Sequence, residues 1–152
     1  TIEGTLVFDG ALWPPAEIGK LNSPVKLTLE KGVVTKIEGG NEAAILSDWL
    51  ASYNDPSCYR LAHYSMGFNP GVTKTTGRIV EDERVFGCME FGIGSQGAAI
   101  TNETGGWPAP CHTDGILLRP TIILDDVVVE EDGVYVDPVA REICKRMGVA
   151  GY

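Results

Sequence analysis

Residues 25–39, "VKLTLEKGVVTKIEG", decide the fold class. Apolar and polar side chains alternate from Val25 to Glu30 and again from Val33 onward, with Lys31-Gly32 between the two runs. A period of two is that of a half-buried strand, and a two-residue break containing glycine predicts an antiparallel hairpin. Upstream, "TLVFD" (5–9) reads as a further strand ended by Gly10, followed by a turn at Trp13-Pro14-Pro15. Downstream, Asn41 is placed to cap a helix through "EAAILSDWLASY", where Ala44, Leu46, Trp49, Leu50 and Tyr53 recur at helical spacing.

The remainder extends the same pattern. "CYRLAHYSMGFNPG" (58–71) reads as a strand running into a turn at Asn69-Pro70-Gly71, and "GRIVEDERVFG" (77–87) as a short helix closed by Gly87. "CMEFGIG" (88–94) alternates like a strand. "SQGAAITNETGGWPAP" (95–110) is too long for a plain connector, and loops of that length are disproportionately functional. "DGILLRPTIILDD", "VVVE" and "VYV" are short strands with a turn at Glu131-Asp132-Gly133. Asp137 caps a last helix that has Pro138 at its first position and runs to Gly148. The expectation is a strand-rich α+β fold, a mixed domain with one mid-chain helix and one C-terminal helix.

At 152 residues the chain suits one domain with a real core. With 43% hydrophobic and 22% charged residues it has the composition of an ordinary globular protein. A net charge of -9 argues against sequence-independent nucleic-acid binding, which needs Lys and Arg against phosphate. The longest apolar runs, "AAIL" and "TIIL", are far shorter than the roughly 20 residues of a membrane span. The four cysteines form no CxxC pair, so a structural zinc site is not expected, and reduced thiols in a cytoplasmic protein are. No signal peptide is visible, and the opening "TIEG" lacks an initiator Met, as a fragment would.

The chain has two histidines, His63 and His112, and the second begins "HTD" (112–114). In an extended segment, positions 112 and 114 project from one face. An imidazole nitrogen and a carboxylate oxygen there can hold one divalent ion, and a third ligand from elsewhere completes a facial triad with positions open for substrate and O₂. His63, just before the Gly-Phe-Asn-Pro turn, is the only histidine left to supply it. The alternative is that His112 merely opens a strand while His63 is an ordinary core or surface histidine.

The segments "AHYSMGFNPG", "TGRIVEDERVFGCMEFGIG" and "GGWPAPCHTDGILLRPTIILDDVVVEEDG" resemble the C-terminal half of the 2,5-dihydroxypyridine 5,6-dioxygenase family, which is related in fold to the aminopeptidase T family. "GTLVFDG", "KLTLEKGVVTKIEGG" and "EAAILSDWL" fit the same half, so the resemblance covers nearly the whole chain. It implies that residues 1–152 are a single metal-binding catalytic domain, the C-terminal half of a longer enzyme. It also implies Fe2+ held by His63, His112 and Asp114, with extradiol-type cleavage of 2,5-dihydroxypyridine or a similar hydroxylated N-heterocycle by O₂. The implied product is an opened acid such as N-formylmaleamate. The implied partners are a small aromatic substrate and a second copy in a homo-oligomer, with no nucleic acid and no membrane. The aminopeptidases share the HxD but resemble "ELGIGTNP" where this chain has "HYSMGFNP" (63–70), and have His where it has Glu90. Those changes favour one metal over two. A metal-dependent aminopeptidase and a non-catalytic C-terminal oligomerisation domain are the other two readings.

Glu90 is either a catalytic carboxylate near the metal or an outward strand residue. Ser95, with Gln96, could hydrogen-bond a hydroxypyridine ring, but plain loop polarity explains both as well, and the functional reading is the weaker one. Trp107 is read as a buried anchor for the loop rather than a wall for an aromatic substrate. Nothing near Cys111 lowers its pKa enough for a nucleophile. The acidic runs "EDER" and "LDDVVVEED" read as solvated faces, and EF-hand spacing is absent.

Overall fold

The computed structural model describes residues 2–97 and 106–152, so the middle of the Ser95–Pro110 loop reading, residues 98–105, lies outside the described residues. In chain order the strands are β1 (Gly4–Phe8), β2 (Ala11–Trp13), β3 (Gly19–Lys20), β4 (Val25–Glu30) and β5 (Val33–Gly39). Helix α1 (Asn41–Ser52) and a 3₁₀ turn (Pro56–Tyr59) lead into β6 (Leu61–Met66). Helix α2 (Ile79–Asp82), β7 (Cys88–Gly94) and β8 (His112–Leu118) follow. Then come β9 (Ile122–Leu124), β10 (Val127–Glu131), β11 (Val134–Tyr135) and α3 (Pro138–Arg146). The strand-rich α+β expectation holds, with the four-residue α2 between the two longer helices.

The hairpin at residues 25–39 forms as its pattern requires. Glu30 faces Val33, and Lys31 (φ 52°) and Gly32 (φ 77°) both take the left-handed conformation of a two-residue turn whose twist matches the strands. Together with β1 it makes a three-stranded sheet in the order β1-β4-β5. Leu6, Phe8, Leu27 and Leu29 from this sheet, Leu46 and Leu50 from α1, and Met89, Phe91 and Ile93 from β7 form the main core. Full burial of each such side chain contributes about 2 kcal/mol relative to exposure.

Two local readings are corrected. Asn41 is the first helical residue and not the cap. Gly40 occupies the cap position without a side-chain hydrogen bond. The carboxylate of Glu42 instead reaches back to accept from the Asn22 amides and the Ser23 hydroxyl (2.9–3.2 Å), tying the start of α1 to the chain entering β4. A side chain at 40 would collide with Ser23 Oγ, so glycine clears the path for this brace. The second correction is at Cys58–Tyr59, which belong to the 3₁₀ turn rather than the strand. Pro56 starts that turn and the Asp55 carboxylate caps it by accepting from Ser57 N.

The second sheet has five strands in the order β3-β2-β8-β7-β6. Strand β7 lies inside the sheet between β8 and the edge strand β6, and every one of its residues is buried. One face, with Met89, Phe91 and Ile93, packs on the main core. Where the other face meets α2, Cys88 and Ile116 join Ala11, Ile79 and Val85 in a smaller apolar cluster. The same face carries the polar side chains of Ser65, Glu90, His112 and Asp114. The third sheet, β11-β10-β9, is a meander with two-residue turns at Asp125-Asp126 and Asp132-Gly133, all four residues at positive φ. Helix α3 starts as read, with the Asp137 carboxylate accepting from Val139 N and Ala140 N (both 2.9 Å) and Pro138 in the first turn.

Candidate metal centre

Three adjacent strands build the site. Across β6, β7 and β8, His63 pairs with Gly92 and Gly92 with Asp114, while Gly94 pairs with His112. Alternation along β8 places His112 and Asp114 on one face. A register shift in β6 brings His63 to the same face. Leu61 faces Ile93 and His63 faces Gly92, so Ala62 is the extra residue of a bulge. Without that extra residue His63 would share the core-facing side with Leu61, because alternate residues share a face.

Gly92 leaves the gap that the side chains fill. A Cβ there would lie 2.5 Å from His63 Nδ1 and 2.9 Å from Asp114 Oδ1. The imidazoles of His63 and His112 stack with centroids 5.2 Å apart and planes 9° apart. His112 Nε2 is 2.9 Å and His63 Nε2 3.6 Å from Asp114 Oδ1. One ligand atom from each of His63, His112 and Asp114 lies within 4.8 Å of the others.

Glu90, two residues before Gly92, points into the same face and is 2% exposed. The outward, solvated reading of this residue therefore does not apply. Its Oε2 accepts from the Ser65 hydroxyl (2.8 Å), and its Oε1 approaches His63 Nε2 at 3.0 Å without an aligned hydrogen bond. Ser95 meets the site through its backbone carbonyl, 2.7 Å from His112 Nδ1. A carbonyl can only accept, so Nδ1 carries the proton and Nε2 is the nitrogen that faces Asp114. Gln96 and Trp107 lie beside the site, paired by Gln96 N donating to Trp107 O (3.1 Å). The indole N–H of Trp107 donates to Gly94 O (3.1 Å), as an anchor of the loop base would. The Cys111 thiol is buried and pushed up to about 12 by burial and by Cys58, consistent with an inert residue.

The electrostatics describe a cluster short of positive charge. The carboxylate of Glu90 raises the pKa of His63, and that of Asp114 raises the pKa of His112, each against the opposing effect of burial. Burial, and then the proximity of Asp114, hold the Glu90 carboxyl above the usual range despite His63. For Asp114 burial acts upward, but hydrogen bonding with His112 and Glu90 outweighs it and the carboxyl sits below its usual value. With His112 neutral, its Nε2 lone pair confronts Asp114 Oδ1 at 2.9 Å, and only a proton or a metal ion between them relieves the contact. His63 Nδ1 and Glu90 Oε1 are buried without a hydrogen-bond partner among the described residues. Two imidazoles and a carboxylate, one imidazole oriented by a carbonyl, are a donor set for a single divalent transition metal. The residues fit such an ion.

A sheet that gathers two histidines and an aspartate from neighbouring strands thus has the chemistry of a one-metal site. The comparisons with known proteins narrow this. The family model for NicX, 2,5-dihydroxypyridine 5,6-dioxygenase, matches residues 1–137. The chain belongs to that family. A curated 2,5-dihydroxypyridine 5,6-dioxygenase from Pseudomonas putida KT2440 is 32% identical over 145 residues, which are 90% of this chain and 40% of the relative. The solved structure of the 2,5-dihydroxypyridine dioxygenase from the same organism superposes with a TM-score of 0.73 at 32% identity, over 91% of this chain and 41% of that one. The chain therefore spans about two fifths of the length of these relatives.

Three contributors escaped sequence reasoning. They are Gly92 as the gap, Ser65 as the support of Glu90, and the bulge at Ala62. The one signal for the first was in plain view, since Glu90, Gly92 and Gly94 alternate along "CMEFGIG" and two glycines on one strand face mark a close approach.

Proposed function

We propose that this chain is the metal-binding catalytic domain, the C-terminal half, of a longer Fe(II)-dependent dioxygenase that opens the ring of 2,5-dihydroxypyridine or a similar hydroxylated N-heterocycle. His63, His112 and Asp114 are the iron ligands in this reading. The observation that carries it is their convergence on one sheet face, with His112 turned by the Ser95 carbonyl so that Nε2 faces Asp114. When bound, Fe(II) supplies Lewis-acid polarisation of a ring hydroxyl and the redox capacity that O₂ requires. Both oxygen atoms end in the opened product, of the N-formylmaleamate type, so the reaction needs no outside reductant.

The chain's own residues supply position and proton handling. Glu90 is held through Oε2 by Ser65, and its Oε1, 3.0 Å from His63 Nε2 and without a hydrogen-bond partner among the described residues, is in this reading the oxygen that takes the proton of a ring hydroxyl. Its burial excludes competing water, and its raised pKa suits a group that must accept and later return a proton. In this reading Ser95 and Gln96, at the start of the long loop beside His112, hydrogen-bond a substituent of the ring. The protein works in the cytoplasm as a homo-oligomer on a small aromatic substrate, with no part for nucleic acid or a membrane. No helix among the described residues is long and apolar enough to cross a membrane.

The test is anaerobic Fe(II) loading of the full-length protein, then oxygen uptake with 2,5-dihydroxypyridine. The expected result is about one iron per chain and stoichiometric uptake, both lost together in His63→Ala and in His112→Ala. Hydrolysis of leucine amide by the zinc- or cobalt-loaded protein, with no oxygen uptake on any dihydroxypyridine, would replace this reading by the aminopeptidase one.

A further inference from the structure

A groove of about 870 Å³ runs from the tip of the β4–β5 hairpin past the 3₁₀ turn to β6, and of the clustered site residues it touches His63 alone. That volume lies within the usual range of small-molecule sites and far exceeds one six-membered ring. Its walls are mostly apolar, with Tyr64 and Trp107 as flat aromatic surfaces. The charges on them are two cations, Lys31 and Arg60, and one carboxylate, Asp55. In a chain of net charge -9 this is a local reversal of sign. Asp55 stays ionised, its Oδ1 accepting from the N–H (2.8 Å) and hydroxyl (2.6 Å) of Ser57, but it makes no ion pair with Arg60 among the described residues, and two cations against one carboxylate leave the groove one net positive charge.

Arg60 is also held in place. Its guanidinium carbon lies 4.2 Å from the centroid of the Trp107 ring, whose N–H is tied to Gly94 O. A guanidinium stacked on a fixed indole loses little freedom when it binds, and its planar fork of N–H donors matches a carboxylate. An aromatic wall, a stacked guanidinium and a groove that touches a histidine of the site form a receptor for a flat ring with an anionic group.

We propose that Arg60 is a specificity-determining residue that reads a ring carboxylate on the substrate, held in the groove that touches His63. The inference rests on the ring-cleaving reading for the identity of the ring, and it deepens that reading from a hydroxylated N-heterocycle to one carrying a carboxylate. The structural alternative is that the Arg60–Trp107 stack only clamps the loop.

The experiment is calorimetric titration of the full-length protein, metal-free, with benzoate and with benzamide, two probes of the same shape that differ in charge. The expected result is benzoate binding roughly tenfold or more tighter than benzamide, the size of one charge-assisted pair. Arg60→Gln should abolish that preference and Arg60→Lys should retain part of it. Equal affinity for the two probes, no detectable benzoate binding, or a preference that survives in Arg60→Gln would each overturn the proposal. A simple clamp predicts the last of these, with only the melting temperature moved. The two readings fail separately, because this binding needs no iron. A benzoate preference without oxygen uptake on any hydroxypyridine sinks the dioxygenase reading, and uptake on 2,5-dihydroxypyridine without a benzoate preference sinks the role of Arg60.

Discussion

At the scale of single residues, the site depends on one missing side chain and one buried acid. Gly92 sits between His63 and Asp114, and the atoms a new Cβ would strike are side-chain tips, so Gly92→Ala should fold with the imidazole and carboxylate displaced. Iron affinity of the full-length protein should fall about 10- to 100-fold, the range seen when the supports of metal ligands are removed. Wild-type iron retention in Gly92→Ala would show that His63 and Asp114 do not hold the metal together across that gap. Glu90→Gln should behave differently, because it keeps the shape and the Ser65 contact and loses the proton-accepting oxygen. Iron content should stay near wild type while turnover drops by about 10²-fold or more, the usual worth of a general base. Undiminished turnover would leave Glu90 a structural buried carboxyl.

The elements carry two predictions about stability. On β10, opposite Tyr135 of β11, Glu130 is fully buried with neither oxygen hydrogen-bonded among the described residues, and burial pushes its carboxyl up to about 7 from 4.5. A group whose folded pKa is raised binds its proton more tightly in the folded state. Its contribution is therefore complete below about pH 4.5 and is lost as the pH rises through 7. The penalty on the alkaline side is on the order of 3 kcal/mol. Urea denaturation of wild type should show stability falling between pH 5 and 8, and Glu130→Gln should flatten that fall. An unchanged slope in the variant would move its origin elsewhere. At the start of α3, Asp137→Ala removes the acceptor for two backbone N–H groups and should cost about 1 kcal/mol in the same assay.

For the molecule as a whole, the decisive pairing joins residues about a hundred positions apart. Strand β2 lies beside β8, with Leu12 opposite Gly115 and Trp13 opposite Asp114. The Asp9 carboxylate accepts from Leu118 N (2.7 Å), and Asp9 N and Gly10 N both donate to Ile116 O. The first twenty residues therefore complete the sheet that holds Asp114 and place Leu6, Phe8 and Leu12 in the core. Residues 22–152 should show no cooperative thermal unfolding by circular dichroism where residues 1–152 do. A sharp melt in that truncated form would mean that the β6–β7–β8 unit and the hairpin fold without it.

What the amino-acid sequence determined by itself was local. The period of two around Lys31-Gly32, the Asp-Pro start of the last helix and the alternation that puts His112 beside Asp114 each depend on neighbours within a turn or a strand, where backbone sterics and hydrogen bonding act directly. The α1 start shows where such reasoning stops, since Asn41 is a good capping residue and yet Glu42 makes the tie, to a segment twenty residues away. Only the tertiary structure decided that His63 joins the same face, because that turns on one extra residue at Ala62, and a one-residue shift of register reverses every side chain beyond it. The same holds for the gap at Gly92 and for the groove beside Arg60, which exist only where three strands and a distant loop meet. Cross-strand register is set by the packing of the whole core against itself, and no window along the chain contains both partners.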